Sequence, residues 1–238
     1  MSNLHYLMTG GHGRLGTELR KHLPCDAPTH QDLDILDTGM IDRHISKASY
    51  AAVIHLAAIT EPAMAAKNPR ASYRTNVLGT RNLAQASARH GLMIYYLSTD
   101  YVFDGREGNY KENDRPAPAN WYGTTKYAGE LEIQEATSHY GIIRTSFRPA
   151  QWPFPTAFTN VYTSADYTDV IAAEVSSAIT RKMSGVLHIG TPTKTFFELA
   201  QQRNPHVMPE ECKDDAFPKK RNLNIEKWLS MRKKSLRA

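Results

Sequence analysis

Cysteine is scarce in this chain, and long apolar runs are missing. Only Cys25 and Cys212 occur among 238 residues, far apart and without CxxC spacing, which excludes a disulfide-stapled scaffold and a thiolate metal site. The ten histidines show no HExxH or similar ligand spacing. No run approaches the roughly 18 apolar residues of a membrane span, and the first residues lack the basic and apolar regions of a secretory signal. We therefore expect a cytoplasmic protein with no membrane segment and no metal.

Positive charge is concentrated near the carboxyl-terminal end. Residues 219–238 carry eight Lys or Arg and one acid, a net charge of +7, whereas the whole chain carries +5. A basic tail can bind nucleic acid or an acidic membrane, but no aromatic platform or nucleic-acid module accompanies this one. Ile225, Trp228, Leu229 and Leu236 fall close to one helical stripe. We expect a solvated terminal helix whose apolar face docks on the body, and no nucleic-acid partner.

Strand and helix patterns alternate through the first two-thirds of the chain. Short apolar or aromatic runs predict strands, and stretches with helical spacing lie between them. The predicted strands span 5–9, 25–30, 32–36, 50–58, 92–98, 141–145 and 185–189. The predicted helices span 14–23, 72–90, 121–138, 164 or 166 to 181, and 195–202. This alternation indicates an α/β fold, a Rossmann-like doubly wound parallel sheet with helices on both faces.

The pattern loosens after Arg148. Residues 149–160 hold three Pro and two Phe and predict a loop. No repeat or linker divides the chain, so we expect one NAD(P)-binding domain over residues 1–238. A small carboxyl-terminal substrate lobe is expected from elements within about 149–165 and 190–238.

A glycine-rich stretch joins the first predicted strand to the first helix. Gly10, Gly13 and Gly16 recur every third residue within TGGHGRLG. A dinucleotide needs glycine for the tight turn and for close approach of the backbone to its pyrophosphate, beside the free N–H groups of the helix start. No acid at the tip of the second strand selects NAD, and Arg14 lies in the loop where it can reach a phosphate. NADP is therefore the expected cofactor, with NAD as the alternative.

Tyr122 and Lys126 lie four residues apart at the start of a predicted helix, so both project from one face. A lysine cation one turn away lowers the pKa of a phenol, ordinarily about 10, and lets it exchange a proton with an alcohol or ketone oxygen. Chance alone gives about one such pair in a chain of this composition. However, Thr99 follows the strongest predicted strand, and ligands bind at the carboxyl ends of parallel strands. We expect the Thr99 hydroxyl to share a substrate oxygen with Tyr122.

Together these stretches resemble the extended short-chain dehydrogenase/reductases, and within them the dTDP-4-dehydrorhamnose reductase branch. The resemblance covers most of residues 4–148. It rests on TGGHGRLG (9–16), DILD (34–37), VIHLAA (53–58), the helix containing Asn76, STDYVFDG (98–105), YGTTKYAGE (122–130) and IIRTSF (142–147). Related 4,6-dehydratases carry Thr-Asp-Glu where this chain has Thr99-Asp100-Tyr101, which disfavours dehydration.

The resemblance implies an NAD(P)H-dependent oxidoreductase that reduces a nucleotide-linked 4-keto-6-deoxy sugar. It makes Tyr122 the proton donor, Lys126 its partner and Thr99 the hydrogen-bonding hydroxyl. The implied cofactor-binding residues are Gly10, Gly13, Arg14, Leu15, Gly16, Asp34, Ile35, Ala57, Ala58, Ile59, Tyr122 and Lys126. Thr99, Asp100 and Tyr101 are implied to bind the substrate. A homodimer is compatible with the resemblance, although no pattern in the sequence specifies the oligomeric state.

Two alternatives stay open. After Arg148 the substrate lobe is shorter than the family's usual one, which is compatible with a non-catalytic, NAD(P)-binding regulatory subunit. A nucleotide-sugar epimerase-like protein is the other. We interpret Arg148 as a solvated arginine and Trp152 as a packed tryptophan, the alternative for both being contact with a diphosphate or a base.

Overall fold

Strands and helices alternate along the chain in the computed structural model, which describes residues 4–215 and 217–235. The strands are β1 (Tyr6–Thr9), β2 (Cys25–Asp26), β3 (Ala52–His55), β4 (Met93–Thr99), β5 (Tyr140–Thr145), β6 (Phe147–Arg148), β7 (Thr156–Phe158), β8 (Tyr162–Thr163), β9 (Asp166–Tyr167), β10 (Gly185–His188), β11 (Lys194–Thr195) and β12 (Met208–Glu210). The α-helices are α1 (Arg14–Leu19), α2 (Thr38–Ile45), α3 (Pro62–Lys67), α4 (Pro69–Tyr73), α5 (Thr80–Arg89), α6 (Trp121–Ala136), α7 (Thr168–Thr180), α8 (Phe196–Gln201) and α9 (Glu226–Ser235). A π-helix (Arg74–Gly79) joins α4 to α5, and a 3-10 helix (Asp100–Val102) follows β4.

The central sheet is parallel, with strand order β10-β5-β4-β3-β1-β2. The chain leaves β1 toward β2 on one side and returns to β3 on the other. The strand order therefore reverses between β1 and β3, and a doubly wound sheet binds its ligand in the crevice at such a point. This confirms the predicted Rossmann-like fold.

Both faces of the sheet are buried. In β1, Tyr6 and Met8 pack into a cluster with Leu19, Ile179 and Trp228, whereas Leu7 packs on the opposite face. Successive side chains of a strand point to opposite faces, so the fully apolar runs of the sequence correspond to strands covered on both sides. A separate cluster around Trp152, Tyr167 and Phe196 forms a small lobe beside the sheet.

The strand predicted over 32–36 is wrong, and the strand predicted over 25–30 ends at Asp26. Residues 31–36 form turns. The Asp32 carboxylate accepts hydrogen bonds from the N–H and hydroxyl of Thr29, and the Asp34 carboxylate accepts one from the N–H of Leu36 at 2.9 Å. Aspartate side chains that bond to nearby backbone groups favour turns over strands.

Most predicted helices are confirmed with shifted ends. The helix predicted over 14–23 ends at Leu19, and the one over 72–90 contains the π-helix between α4 and α5. No pattern in the sequence predicted α2 or α3. Across residues 4–215 and 217–235, no helix has the length and apolarity to cross a membrane, and no group of three His, Cys, Asp or Glu side chains is arranged to hold a metal ion.

The basic tail is only partly solvated. Trp228 and Ile225 are buried, as their helical stripe predicted, while Leu229 is 36% exposed and Leu236 lies outside the described residues. The segment before α9 contradicts a solvated interpretation, because Arg221 is 2% exposed. We call residues 219–225 the strap, since they run between the loop after Phe103 and the small lobe.

Candidate active site

A cleft of about 570 Å³ opens where β1, β3, β4 and β5 end. Eleven of the predicted site residues line it: Gly10, Gly13, Arg14, Leu15, Gly16, Ala57, Ala58, Thr99, Tyr101, Tyr122 and Lys126. Arg148, for which contact with a diphosphate or a base was the alternative interpretation, lines the cleft as well. The cleft is also lined by residues to which the sequence assigned no role, namely Leu56, Thr60, Glu61, Pro62, Leu97, Ser98, Thr145, Ser146 and Phe147. The predicted cofactor loop and the predicted catalytic residues therefore share one cavity.

Four predicted residues do not line the cleft. Ile35 is 5% exposed and packs beside Gly79, and Asp100 is 1% exposed. Asp34 caps the turn described above, and the backbone of Ile59 bonds to Asn76. Their predicted ligand contacts stay predictions.

The glycine loop is shaped for close approach. Gly10 has φ +71°, and a Cβ there would lie 2.6 Å from the backbone nitrogen of Ala57. Only glycine adopts this conformation readily. The loop therefore abuts the chain that follows β3 and presents bare backbone to the cleft, a cradle that fits a dinucleotide pyrophosphate.

Contrary to the sequence-based expectation of no acid at the tip of the second strand, β2 ends at Asp26, but other groups engage this carboxylate. Asp26 accepts a hydrogen bond from the Tyr50 hydroxyl at 2.6 Å and pairs with His5 at 3.0 Å. Arg14, in contrast, lines the cleft. An engaged Asp26 carboxylate and a cationic Arg14 in the cleft thus agree with the predicted preference for a cofactor that carries a 2′-phosphate.

Tyr122 is held at the start of α6. Asn120 caps this helix by accepting the N–H of Gly123 at 2.9 Å, and a Cβ at Gly123 would overlap the carbonyl oxygen of Tyr101. Helix α6 therefore sits directly against the 3-10 helix after β4, which brings Tyr122 to Thr99. The rings of Tyr122 and Tyr101 meet edge to face at 5.7 Å.

Burial raises the pKa of Tyr122, and the charge of Asp100 adds to this effect. A hydrogen bond with Thr99 and the positive charge of Arg221 act in the opposite direction. The expected lowering of the Tyr122 pKa is therefore wrong, because desolvation disfavours the phenolate and raises this pKa. A protonated tyrosine is the form that a proton donor requires.

Lys126 lies one helical turn deeper. Its Nζ is 4.0 Å from the centroid of the Tyr96 ring, and the side chain is 3% exposed. Burial lowers the pKa of Lys126 to about 7, against the raising effect of the Glu130 carboxylate. Glu130 is itself fixed by Arg144, with a closest N–O distance of 2.7 Å.

Asn76, in the π-helix, joins two walls of the site. Its amide oxygen accepts the N–H of Ile59 at 2.8 Å, and its amide nitrogen donates to the Ile59 carbonyl and to the Thr125 hydroxyl at 3.0 Å. Thr125 lies between Tyr122 and Lys126 in α6. The sequence marked the Asn76 helix as family-like but gave no role for the side chain.

His55, at the end of β3, continues this network in the neutral form. Its two ring nitrogens face the hydroxyls of Thr9 at 2.7 Å and Thr80 at 2.9 Å. Because Thr80 donates its proton to the Asn76 carbonyl, it accepts from His55 Nε2, and Thr9 donates to Nδ1. Burial lowers the pKa of His55 to about 3. The network thus ties the end of β1 to helix α6.

Arg148, which lines the cleft, and Arg221 each pack against an aromatic ring. The guanidinium carbon of Arg148 lies 4.4 Å from the ring centroid of Phe196, and that of Arg221 lies 3.8 Å from the ring centroid of Tyr101. Arg148 is therefore packed, contrary to the solvated interpretation, whereas Trp152 is packed as expected. Arg221 was not predicted from the sequence as a site residue, because it stands in a run of basic residues that indicated a solvated segment.

The chain resembles known proteins over most of its amino-terminal part. The family model described as RmlD substrate binding domain matches residues 4–148. The methionine adenosyltransferase 2 subunit beta of Pongo abelii is 31% identical over 154 residues, which cover 60% of this chain and 46% of that protein. The dTDP-4-dehydrorhamnose reductase of Aggregatibacter actinomycetemcomitans is 36% identical over 148 residues, covering 59% of this chain and 50% of that protein. The matched part therefore spans about half the length of these relatives.

The fold similarity extends further along the chain. A crystal structure of dTDP-4-dehydrorhamnose reductase from Bacillus anthracis in complex with NADP superposes with a TM-score of 0.84 and 26% identity, covering 97% of this chain and 92% of that one. The glycine cradle, the Thr99–Tyr122–Lys126 arrangement and five of the six strands of the parallel sheet lie within the part matched by the family model, and only β10 lies beyond it. The chain belongs to the RmlD substrate binding domain family.

Proposed function

We propose that this chain is an NAD(P)H-dependent reductase of a nucleotide-linked 4-keto-6-deoxy sugar, similar to dTDP-4-dehydrorhamnose reductase. The observation that carries the proposal is that Thr99, Tyr122 and Lys126 line the same cleft as the glycine loop. A bound nicotinamide supplies the hydride for such a reduction. The residues of the chain supply positioning, a proton and stabilisation of the developing negative charge.

NADP is the proposed cofactor. The glycine cradle fits a pyrophosphate, Arg14 lines the same cleft, and Asp26 is engaged elsewhere. The similar reductase from Bacillus anthracis was solved with NADP. Gly10, Gly13, Leu15 and Gly16 would hold the phosphates, and Ala57 and Ala58 would line the nicotinamide side.

Tyr122 would donate the proton to the carbonyl oxygen as it gains charge. Its raised pKa keeps the phenol protonated at neutral pH. Thr99 would bind the same oxygen, and Lys126 would stabilise the phenolate left behind and reach the cofactor ribose. Tyr101 lines the cleft at the substrate side, whereas Asp100 acts on the site through its charge from a buried position.

The test is the oxidation of NADPH and NADH with dTDP- and UDP-4-keto-6-deoxyglucose. We expect turnover with NADPH, and we expect Tyr122→Phe to lower kcat by about 100-fold or more, the usual contribution of a general acid. Cofactor affinity should change little, because the backbone of the glycine loop is untouched.

Tyr127→Phe is the matched control, since Tyr127 lies in the same helix but packs against Phe103 and Leu223 outside the cleft. Equal turnover by Tyr122→Phe and the wild type would contradict the proposal. So would the absence of cofactor binding in a folded sample.

A second candidate is a non-catalytic, cofactor-binding subunit of another enzyme. The observation in its favour is that relatives named methionine adenosyltransferase 2 subunit beta match the same part of the chain. Tight NADP binding without turnover of either sugar nucleotide would favour this candidate. The retained Thr99, Tyr122 and Lys126 favour the reductase.

A further inference from the structure

Lys126 lies one helical turn from a buried carboxylate with which it does not pair. Glu130 follows it by four residues in α6, the spacing at which a lysine and a glutamate on one helix face can form an ion pair. Both side chains are buried. No hydrogen bond or ion pair joins the Lys126 ammonium to any described residue, and the group it contacts is the face of the Tyr96 ring. Other groups must therefore hold the carboxylate.

Arg144 and Ser98 occupy both oxygens of Glu130. Arg144 Nη2 donates to Oε2 at 2.7 Å and Nε donates to Oε1 at 3.0 Å, the bidentate geometry that matches a guanidinium to a carboxylate. The Ser98 hydroxyl also donates to Oε1, at 2.5 Å. Ser98 and Arg144 are partners in the register of β4 and β5. The carboxylate is therefore bonded to the sheet and not to Lys126.

Arg144 is itself fixed from its other side. Its Nη1 donates to the carbonyl of Glu112 at 3.3 Å and to Nε2 of His188 at 3.4 Å. His188 accepts there because its Nδ1 donates to the Tyr110 carbonyl at 3.0 Å, which places the ring proton on Nδ1. Burial and the charge of Arg144 lower the pKa of His188 to about 3, so the ring is neutral. Each nitrogen of the guanidinium thus has a partner, which fixes the ion pair with Glu130 in place.

We infer that the Glu130–Arg144 pair positions Lys126 for the reaction by holding the nearest carboxylate out of reach, so that the ammonium stays unpaired in the cleft. Lys126 lines that cleft together with Tyr122, and its N–H groups are left for the phenolate and the cofactor ribose. The carboxylate still acts through its charge, which raises the pKa of Lys126 against the effect of burial. This inference rests on the proposed reductase for the role of Lys126, whereas the arrangement of the ion pair does not.

The titratable side chains that face Lys126 come from three elements. They are Tyr122 and Glu130 on α6, Tyr96 on β4 and His55 on β3. Burial raises the pKa of both tyrosines, so they stay protonated, and it lowers the pKa of His55, so the ring stays neutral. Among these four groups Glu130 is therefore the one whose charge can control the protonation of Lys126.

The test is the pH dependence of lysine acetylation in the cofactor-free chain. Trace acetic anhydride between about pH 5 and pH 10, followed by peptide mass spectrometry, gives the half-labelling pH of Lys126, since only the uncharged amine reacts. We expect a half-labelling pH of about 7 for the wild type. Glu130→Gln should lower it by about one pH unit, because the attraction of the carboxylate is lost. Arg144→Gln should raise it by about as much, since the released carboxylate can pair with the ammonium.

Glu132→Gln is the matched control. Glu132 lies in the same helix and also accepts two hydrogen bonds from an arginine, Arg81, both at 2.7 Å. It is six residues from Lys126 and therefore on another face of α6, so the half-labelling pH should stay within about 0.2 of the wild type. Arg144→Lys keeps a positive charge beside Glu130, and its half-labelling pH should lie nearer to the wild type than that of Arg144→Gln.

Movement in opposite directions is the expected result, because a pair with a purely structural role would destabilise both variants without moving the half-labelling pH of Lys126 up in one and down in the other. A fall in both variants, or no change in a folded Glu130→Gln variant, would overturn the inference. So would a wild-type Lys126 that fails to react at any pH.

Removing one partner of a buried ion pair can prevent folding, whereas removing both is tolerated better. The double variant Glu130→Gln with Arg144→Met therefore serves where a single variant does not fold. Its half-labelling pH should still lie below that of the wild type, and an unchanged value would overturn the inference. No NADP or sugar nucleotide enters the measurement, so failure of this inference and failure of the proposed reductase are distinguishable.

Discussion

At the scale of single residues, Lys126 combines burial with a positive charge that the folded chain stabilises poorly. Its folded-state pKa is about 7, against 10.5 for the ordinary side chain. Between these values the unfolded chain holds one more proton at this position than the folded chain does. The free energy of unfolding must therefore rise with pH across this window, and the cost is fully present below it.

We expect Lys126→Met to melt above the wild type at pH 6 by about 2–4 °C or more, the shift that each 1 kcal/mol gives in a chain of this size. The difference should shrink as pH approaches 10. Melting curves of the cofactor-free protein from pH 6 to 10 measure it, with the exposed Lys111→Met as control. A melting difference that stays constant with pH would contradict the assigned pKa.

A site residue could be predicted from the sequence where the pattern that indicates it lies within one short segment. Tyr122 and Lys126 are four apart in one helix, and Gly10, Gly13 and Gly16 repeat within one loop, so short patterns were sufficient. Arg221 reaches the Tyr101 ring because its neighbours Lys220 and Leu223 bond to Gly105 and Ser164, more than 50 residues away along the chain. No spacing encodes such a contact, and its basic neighbours pointed to a solvated segment instead.

At the scale of elements, the junction between α6 and the 3-10 helix after β4 sets the position of Tyr122 relative to Thr99. Gly123 is the contact point, because a Cβ there would overlap the Tyr101 carbonyl oxygen. Gly123→Ala should push the start of α6 away and separate Tyr122 from Thr99. A displacement of about 1 Å can cost about 100-fold in rate, so we expect a loss of kcat of that order.

Gly39→Ala is the control for this variant. Gly39 is also in the first turn of a helix, but a Cβ there would meet only the side chains of Arg43 and Asp37, at 3.2 and 3.3 Å. Alanine favours a helix over glycine by about 1 kcal/mol, so this variant should keep its rate and its stability. A Gly123→Ala enzyme with wild-type kcat would show that the close contact does not position Tyr122.

Elements with a strong apolar signal were predicted well, and those with competing side-chain chemistry were not. Strands β4 and β5 lie within one residue of their predicted bounds because their apolar and aromatic residues are buried in the sheet. Residues 32–36 contain a similar apolar alternation, yet Asp32 and Asp34 bond to nearby backbone groups and form turns. The apolar alternation therefore reflected the burial of Leu33 and Ile35, but it did not indicate the turns that the aspartate side chains form.

At the scale of the whole molecule, the carboxyl-terminal segment is part of the core rather than an appendage. Trp228 is fully buried against the sheet cluster, and its indole N–H donates to Glu174 at 2.6 Å. Truncating a buried tryptophan costs about 3–5 kcal/mol. We expect Trp228→Ala to lower the melting temperature by about 10 °C, measured by calorimetry.

Leu229→Ala is its control, because the neighbouring side chain is 36% exposed and should change the melting temperature by only a few degrees. Equal melting of Trp228→Ala and the wild type would contradict a core role for α9. The helical stripe in the sequence indicated this docking, whereas the net charge of the segment concealed how deeply the strap before it is buried.

The position of the strap has a consequence for the order in which the site is made. Protein chains are synthesised from the amino end, and early parts can fold first. The glycine loop, Thr99, Tyr122 and Lys126 all leave the ribosome before residue 219, so every predicted cofactor-binding residue precedes the strap. Release of the chain therefore separates two steps: the residues of the glycine loop and of α6 emerge first, and the core beneath them closes only when the strap and α9 dock, because Trp228 packs in one cluster with Leu15 and Leu19.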